Sequence, residues 1–392
     1  MIKIKKYNIA MFMLVFFCLT PFLTPASYCL GSILSNFMNL WLRFTWIIAL
    51  LLILFRRKIS KFNFIIIAFQ FCFLLATILN KEYGSVKDAI YLFCNNCSII
   101  LISDYLLKKD TDCFLKYTTW IFGFLIIINI ITMFIYYPNG MYIDILGDRN
   151  YYFLEHDNGS FFYTLPVLFL SIIYSLKKHN KISIYCYLFL IINILGYVYV
   201  MSTIASVCLV ALMFCLLYIN SKTLNNIINS KAIGIILISI LVGLLFFNLQ
   251  SYFVTNILNY FNKDVTLSGR TIIWQRAFDF IKVRPIIGYG QELLQIRLLR
   301  FGISHVHNIL LQIIYNGGFL AFFIYILCIL MLNKSINNCE NSKMKFVMKV
   351  IMYLYFFASI FDFYNTKFIV YIIFVCCGNS NLLNNKVGDP NE

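Results

Sequence analysis

Charge is what this 392-residue sequence has least of: 12% of its residues are charged and 61% are hydrophobic. A soluble globular domain carries roughly 25% charged and about 45–50% apolar residues. The composition, with a mean hydropathy of +0.82, excludes that class and predicts an integral membrane protein. Acidic residues are scarcest, 16 against 32 Lys and Arg, for a net charge of +16. This excess does not point to nucleic acid, because the basic residues sit in short clusters between apolar runs, as membrane topology signals do. The weak alternating pattern of an outer-membrane barrel is absent too. Apolar runs near the roughly 20 residues that a helical span needs instead predict an all-α, polytopic protein forming one membrane domain over 1–392. No internal repeat of the kind transporters carry is visible. The 13 cysteines are scattered mainly through the apolar runs, where a free thiol behaves as a small apolar group, so no disulfide framework is expected. Cys94-Asn-Asn-Cys97 has redox spacing but falls inside a predicted span with no soluble fold beside it.

The runs predict about twelve spans, with both termini cytoplasmic. They cover about 7–30, 33–55, 62–80, 88–107, 113–137, 159–176, two halves of 182–220 divided at Met201-Ser202-Thr203, then 232–249, 306–332, 346–362 and 364–379. The basic N-terminus with Lys3, Lys5 and Lys6 resembles a signal peptide, but its long apolar run and the spans behind it predict an uncleaved first helix. Asp88, Asn95, Asn96 and Asp104 in the fourth span should face other helices, since polar groups are costly against lipid. In this topology the cytoplasmic segments hold 20 of the 32 Lys and Arg, as the positive-inside rule expects. Seven of the rest (Lys263, Arg270, Arg276, Lys282, Arg284, Arg297 and Arg300) crowd into one external segment, 250–304.

That segment overlaps a stretch, 267–319, in which scarce polar chemistry is concentrated at a membrane boundary. Residues 268–283 read as an amphipathic helix, with Ile272, Ile273, Ala277, Phe280 and Ile281 on one face and Arg270, Arg276 and Lys282 on the others. Pro285 ends it, Gly288 and Gly290 allow a tight turn, and a short basic segment leads to His307-Asn308 and an apolar run containing Gly317-Gly318. A basic cluster at a membrane surface can bind anionic headgroups. Arginine outnumbers lysine here five to two, however, and its planar fork suits bidentate phosphate contacts. His305 and His307 are two apart, so on a helix they would diverge, and no cysteine or carboxylate cluster stands nearby to complete a metal site. The expected chemistry is metal-free and without a cofactor. A histidine at this boundary can act as general base near neutral pH.

In order and spacing, Ser268-Gly269-Arg270, Trp274, Pro285, Gly288, Gly290, His307-Asn308, Leu310-Leu311 and Gly317-Gly318 resemble the signature of the O-antigen polymerase and O-antigen ligase superfamily. The resemblance implies a GT-C-like membrane glycosyltransferase with an external helical loop, acting on the outer face of the bacterial cytoplasmic membrane. Its substrate would be a glycan on undecaprenyl pyrophosphate, as in O-antigen, capsule or exopolysaccharide synthesis. Besides the bilayer, its partners would include a chain-length regulator, and no nucleic acid. His307 would be catalytic, Arg270, Arg149, Arg276 and Arg284 would bind the pyrophosphate, and His305, Asn308 and Trp274 would support them. Where the family commonly opens a span with Ser-Arg, this chain has Ser202-Thr203-Ile204-Ala205-Ser206, leaving that phosphate contact to Arg149 or Arg276. Asp148, Glu155 and Asp157, in the external loop with Arg149, are expected either to touch sugar hydroxyls or to solvate the loop. A polymerase is the expected activity. A ligase, and a flippase for the same lipid-linked glycan, are the alternatives.

Overall fold

Small polar residues divide the apolar runs into helices. Ser60, Ser85 and Asp110 each accept a hydrogen bond from the backbone N–H three residues on, satisfying donors that a helix start leaves open. The structure is a computed structural model that describes residues 2–23, 32–56, 59–143, 150–229, 270–361 and 367–384. The first helices are α1 (Ile2–Leu19, extended by a 3₁₀ turn, Thr20–Leu23), α2 (Ser32–Arg56), α3 (Lys61–Leu79), α4 (Val86–Lys109) and α5 (Thr111–Tyr136). A two-stranded antiparallel ribbon, β1 (Tyr142–Ile143) with β2 (Asn150–Tyr151), precedes α6 (Asp157–His179). Next come α7 (Ile184–Tyr199), α8 (Thr203–Leu217) and α9 (Lys222–Asn229), and, after the undescribed stretch, α10 (Arg270–Val283) and α11 (Leu294–Phe301). The chain closes with α12 (Ile309–Asn337), α13 (Ser342–Phe361), α14 (Val370–Gly378) and the short α15 (Ser380–Leu383).

Eight of the described helices, α1 to α6, α12 and α13, are long and apolar enough to cross a membrane. Helices α7 and α8 are apolar but shorter, and they divide at 200–202, where the sequence predicts a turn. The expected ninth span lies outside the described residues, and the twelfth is represented by the nine residues of α14. The most enclosed of these eight is α6, packed by α5, α7, α13 and α14, and α12 lies along α3. Asn95, Asn96 and Asp104 are buried as expected, but Asp88 is exposed in the first turn of α4, where a carboxylate complements the helix dipole.

Successive helices run antiparallel, so their connections fall at two ends. At one end Lys177 bonds the Leu382 carbonyl and Asn379 bonds Asp104. At the other, Ser202 bonds Asn158, Asn80 bonds the Gly288 carbonyl, and Gly84 pairs as an isolated bridge with Glu292. The histidines and clustered arginines of 270–308 lie at this second end.

Candidate functional site

The site is built on a broken helix. Gly318, at φ +65° and ψ −171°, interrupts α12, and the break frees carbonyls that an intact helix would use itself. The segment after Pro285 takes them up. Tyr289 N donates to the Tyr315 carbonyl at 2.8 Å and Gly290 N to that of Asn316 at 2.7 Å, while Phe319 N returns a bond to the Pro285 carbonyl. The approach is too close for a side chain: a Cβ on Gly318 would lie 2.0 Å from the Ile286 carbonyl oxygen, and one on Gly290 would lie 2.4 Å from Thr77 N. On its far side the segment docks on the α3–α4 turn, where Gln291 N donates to Thr77 Oγ1 and Leu293 N to the Tyr83 carbonyl.

Three arginines converge on this segment around one carboxylate. Glu292 is buried, accepts a hydrogen bond from the Tyr315 hydroxyl, and has Arg300 Nη1 in ionic contact 2.8 Å from Oε1. Arg300 also donates to the Tyr315 hydroxyl at 2.8 Å, and its guanidinium lies 4.3 Å from the Tyr289 ring centroid, a cation–π distance. Arg284 approaches the same ring and that of Tyr83. Burial raises the Glu292 pKa, opposed by the Tyr315 hydrogen bond and by Arg300, Arg297 and Arg284. Burial also lowers that of Arg297, with Glu292 opposing.

Arg297 connects this cluster to the histidines. Its Nη1 donates to the Ser304 carbonyl at 2.7 Å, Ser304 Oγ contacts His305 Nδ1 at 2.8 Å, and the His305 and His307 ring centroids are 4.0 Å apart. The two imidazoles lie in a turn before α12, so the divergence expected of helical positions does not occur. His307 is buried and holds a left-handed backbone, φ +54°, which is uncommon for a non-glycine residue. Its neighbours fix it there. Trp274 Nε1 donates to the Val306 carbonyl at 3.0 Å and Val306 N to Gln312 Oε1. Asn308 caps α12 through Leu310 N and Leu311 N and also bonds the Ile360 carbonyl.

A second buried ion pair lies at the same end of the bundle. Lys367, just ahead of α14, pairs with Glu155, just ahead of α6, and its ammonium lies 4.9 Å from the Tyr163 ring centroid. Burial alone would raise the Glu155 pKa, but Lys367 and the neighbouring His156 outweigh it and hold the carboxyl below the usual range. Glu155 is thus a buried structural partner and does not solvate the loop. Lys367 also lines a small, largely apolar cavity of about 30 Å³ together with Phe162, Ile309, Ile313, Tyr325 and Tyr371.

Of the residues singled out in the sequence, His305, His307, Asn308 and Trp274 come together. Arg270 starts α10, one turn before Trp274 on the same face. Arg284 joins the Glu292 cluster, whereas Arg276 is exposed. The α10 face predicted to be apolar buries Ile273, Ala277 and Ile281 with Trp274, while Ile272 is exposed. Arg149 and Asp148 lie outside the described residues, as do Ser268, Gly269 and Lys263. Sequence reasoning missed the basic segment's helix, α11, and the roles of Glu292, Tyr315 and Lys367. Among the described residues no group of three or more His, Cys, Asp or Glu could hold a metal ion.

Fold and site define a polytopic, all-α membrane protein with a polar, arginine-rich site at one end of its helices. Residues 186–326 match the family model Wzy_C, described as O-antigen ligase, which supports placing the chain in the O-antigen ligase and polymerase superfamily. The matched region runs from α7 into α12 and includes α10, α11 and the histidine turn. No curated protein and no solved structure matches the chain.

Proposed function

We propose that the chain is a glycan polymerase, joining oligosaccharide repeat units carried on undecaprenyl pyrophosphate at the outer face of the bacterial cytoplasmic membrane. The observation that carries this reading is the turn at 304–308, which fixes a contacting imidazole pair beside α10 and its Arg270. The incoming sugar hydroxyl attacks the anomeric carbon of the donor, forming the new glycosidic bond and breaking the bond to the pyrophosphate. His307 accepts the hydroxyl proton. Arg270, with Arg149 and Arg276, offsets the charge on the departing pyrophosphate. No metal is needed for this step, because the arginines carry the charge compensation. Polymerase is preferred to ligase because the chain keeps only the skeleton of the superfamily signature.

The test is reconstitution of the purified protein with the lipid-linked repeat unit and excess chelator, followed on a gel. A ladder of products is expected. Transfer only to an added lipid-core acceptor makes the protein a ligase, and loss of activity restored by a divalent ion replaces the metal-free step.

A further inference from the structure

We propose that Arg284, Arg297 and Arg300, gathered about Glu292, form a second anion site, which takes the diphosphate of a second lipid-linked molecule. The inference rests on the reading above for the Arg270 site and extends it to the acceptor.

Separation comes first. Arg270 and Arg284 stand at opposite ends of α10, whose 14 residues rise about 1.5 Å each, so their backbones lie about 20 Å apart. A diphosphate, whose two phosphorus atoms share one bridging oxygen, cannot fill both places. The Arg284 side chain is moreover already turned to the rings of Tyr83 and Tyr289, which Arg300 shares. The two groups of arginines therefore serve different anions.

Charge comes second. Three guanidiniums against one carboxylate leave the cluster with a net charge of two positive, matching a diphosphate diester with one negative charge on each phosphorus. Arg300 is held to Glu292 and Tyr315, but Arg297 Nε is a buried donor without a hydrogen-bond partner, and such a group is costly unless something accepts from it. Glu292 keeps the arginines close together and balances part of their mutual repulsion before a ligand arrives.

The rim comes third, and it argues for a lipid. Helix α11 turns Arg297 and Arg300 inward and leaves Leu294 and Leu299 outside, the latter 85% exposed. Val283 and Ile286, on either side of Arg284 and Pro285, are exposed at 71% and 69%. A cationic recess edged by exposed aliphatic side chains suits an amphipathic anion whose head enters while its chain stays in the bilayer. Finally, Arg297 is bonded to Ser304 next to His305, so the histidine pair is connected to this cluster on one side and neighbours Trp274 and α10 on the other. A second carrier held here would bring its sugar to the same imidazoles.

The experiment is native mass spectrometry of the full-length protein titrated with farnesyl diphosphate, a short prenyl diphosphate, and in parallel with phosphatidylglycerol. Two diphosphates per chain are expected. Arg284→Gln and Arg300→Gln should each weaken one of the two by at least about tenfold, equivalent to 1.4 kcal/mol, and Arg270→Gln should weaken the other. Because Arg300→Gln leaves Glu292 buried without its cation, the double variant Arg300→Gln/Glu292→Gln and the less buried Arg284→Gln guard against misfolding. One diphosphate per chain, lost with Arg270→Gln and unmoved by Arg284→Gln, overturns the second site and leaves the donor reading intact. Loss of all binding from either group of variants shows a single composite site and also overturns it. Equal displacement by phosphatidylglycerol makes the cluster a general headgroup site and overturns the assignment to a diphosphate. No binding of the diphosphate at all overturns both readings.

Discussion

His307 combines two requirements in one residue, an imidazole at the site and a backbone at φ +54°. The left-handed region costs a non-glycine residue about 1–2 kcal/mol, and such residues persist where their surroundings over-determine them, often at functional sites. Here the surroundings are Trp274, Gln312 and Asn308. His307→Ala should lower turnover by about 10²–10⁴-fold, the usual contribution of a general base, while lipid-linked repeat units accumulate unpolymerised. His305→Ala should be milder, and full activity in His307→Ala would end the base assignment. His307→Gly should be equally inactive yet more stable than His307→Ala by about 1 kcal/mol, measured by thermal unfolding of the purified proteins. That split separates chemistry from backbone strain. Arg270→Lys keeps the charge but loses the planar fork, so it should cut polymer formation strongly with normal protein levels in the membrane. Equal activity would return Arg270 to a headgroup role.

The decisive element is the break in α12 and the segment docked on it. Gly318→Ala and Gly290→Ala each place a methyl against backbone atoms, 2.0 Å from the Ile286 oxygen and 2.4 Å from Thr77 N. Each should destabilise the protein and abolish activity together. Gly123→Ala, whose Cβ would meet only Val167 at 4.0 Å, should be neutral or stabilising by about 0.5–1 kcal/mol. A melting-temperature series on the three variants checks this, and a tolerated Gly318→Ala would mean that the segment does not need its close approach. Much of this element was legible beforehand. Pro285, Gly288, Gly290, Asn308 and Gly317-Gly318 are punctuation that sequence exposes directly. Glu292 and Tyr315 were not legible, because they lie 23 residues apart and meet only when the segment lies across the broken helix. The short helix α11 was hidden for a related reason: its two arginines share the inward side with Phe301 while Leu294 and Leu299 are exposed, so apolar and charged residues do not separate onto two faces.

At the scale of the whole molecule, alternating apolar runs and lysine clusters gave the helical bundle, but no spacing rule could pair Glu155 with Lys367, 212 residues later. The pair joins the entrance to α6 to that of α14. Because Glu155 has a depressed pKa in the fold, its contribution to stability is present above the usual carboxylate range and is lost as pH falls from that range toward the depressed value. The melting temperature of the wild type should therefore fall with acidification across that window, and the Glu155→Gln variant should show a shallower slope. Lys367→Met alone leaves a buried carboxylate and should cost about 3–5 kcal/mol, and the double variant Glu155→Gln/Lys367→Met should recover part of it. Identical pH slopes for wild type and Glu155→Gln would remove the pair from the stability of the fold. The same pair sets an order for biosynthesis. A ribosome delivers Glu155 long before Lys367, so throughout the synthesis of α7 to α13 the nascent chain carries a carboxylate whose cation has not yet been made. The end of the bundle that bears the histidines is therefore completed only after α13 has been translated. A chain cut short after α13 would keep the histidine turn and α10 but leave Glu155 without the buried cation that closes that end of the bundle.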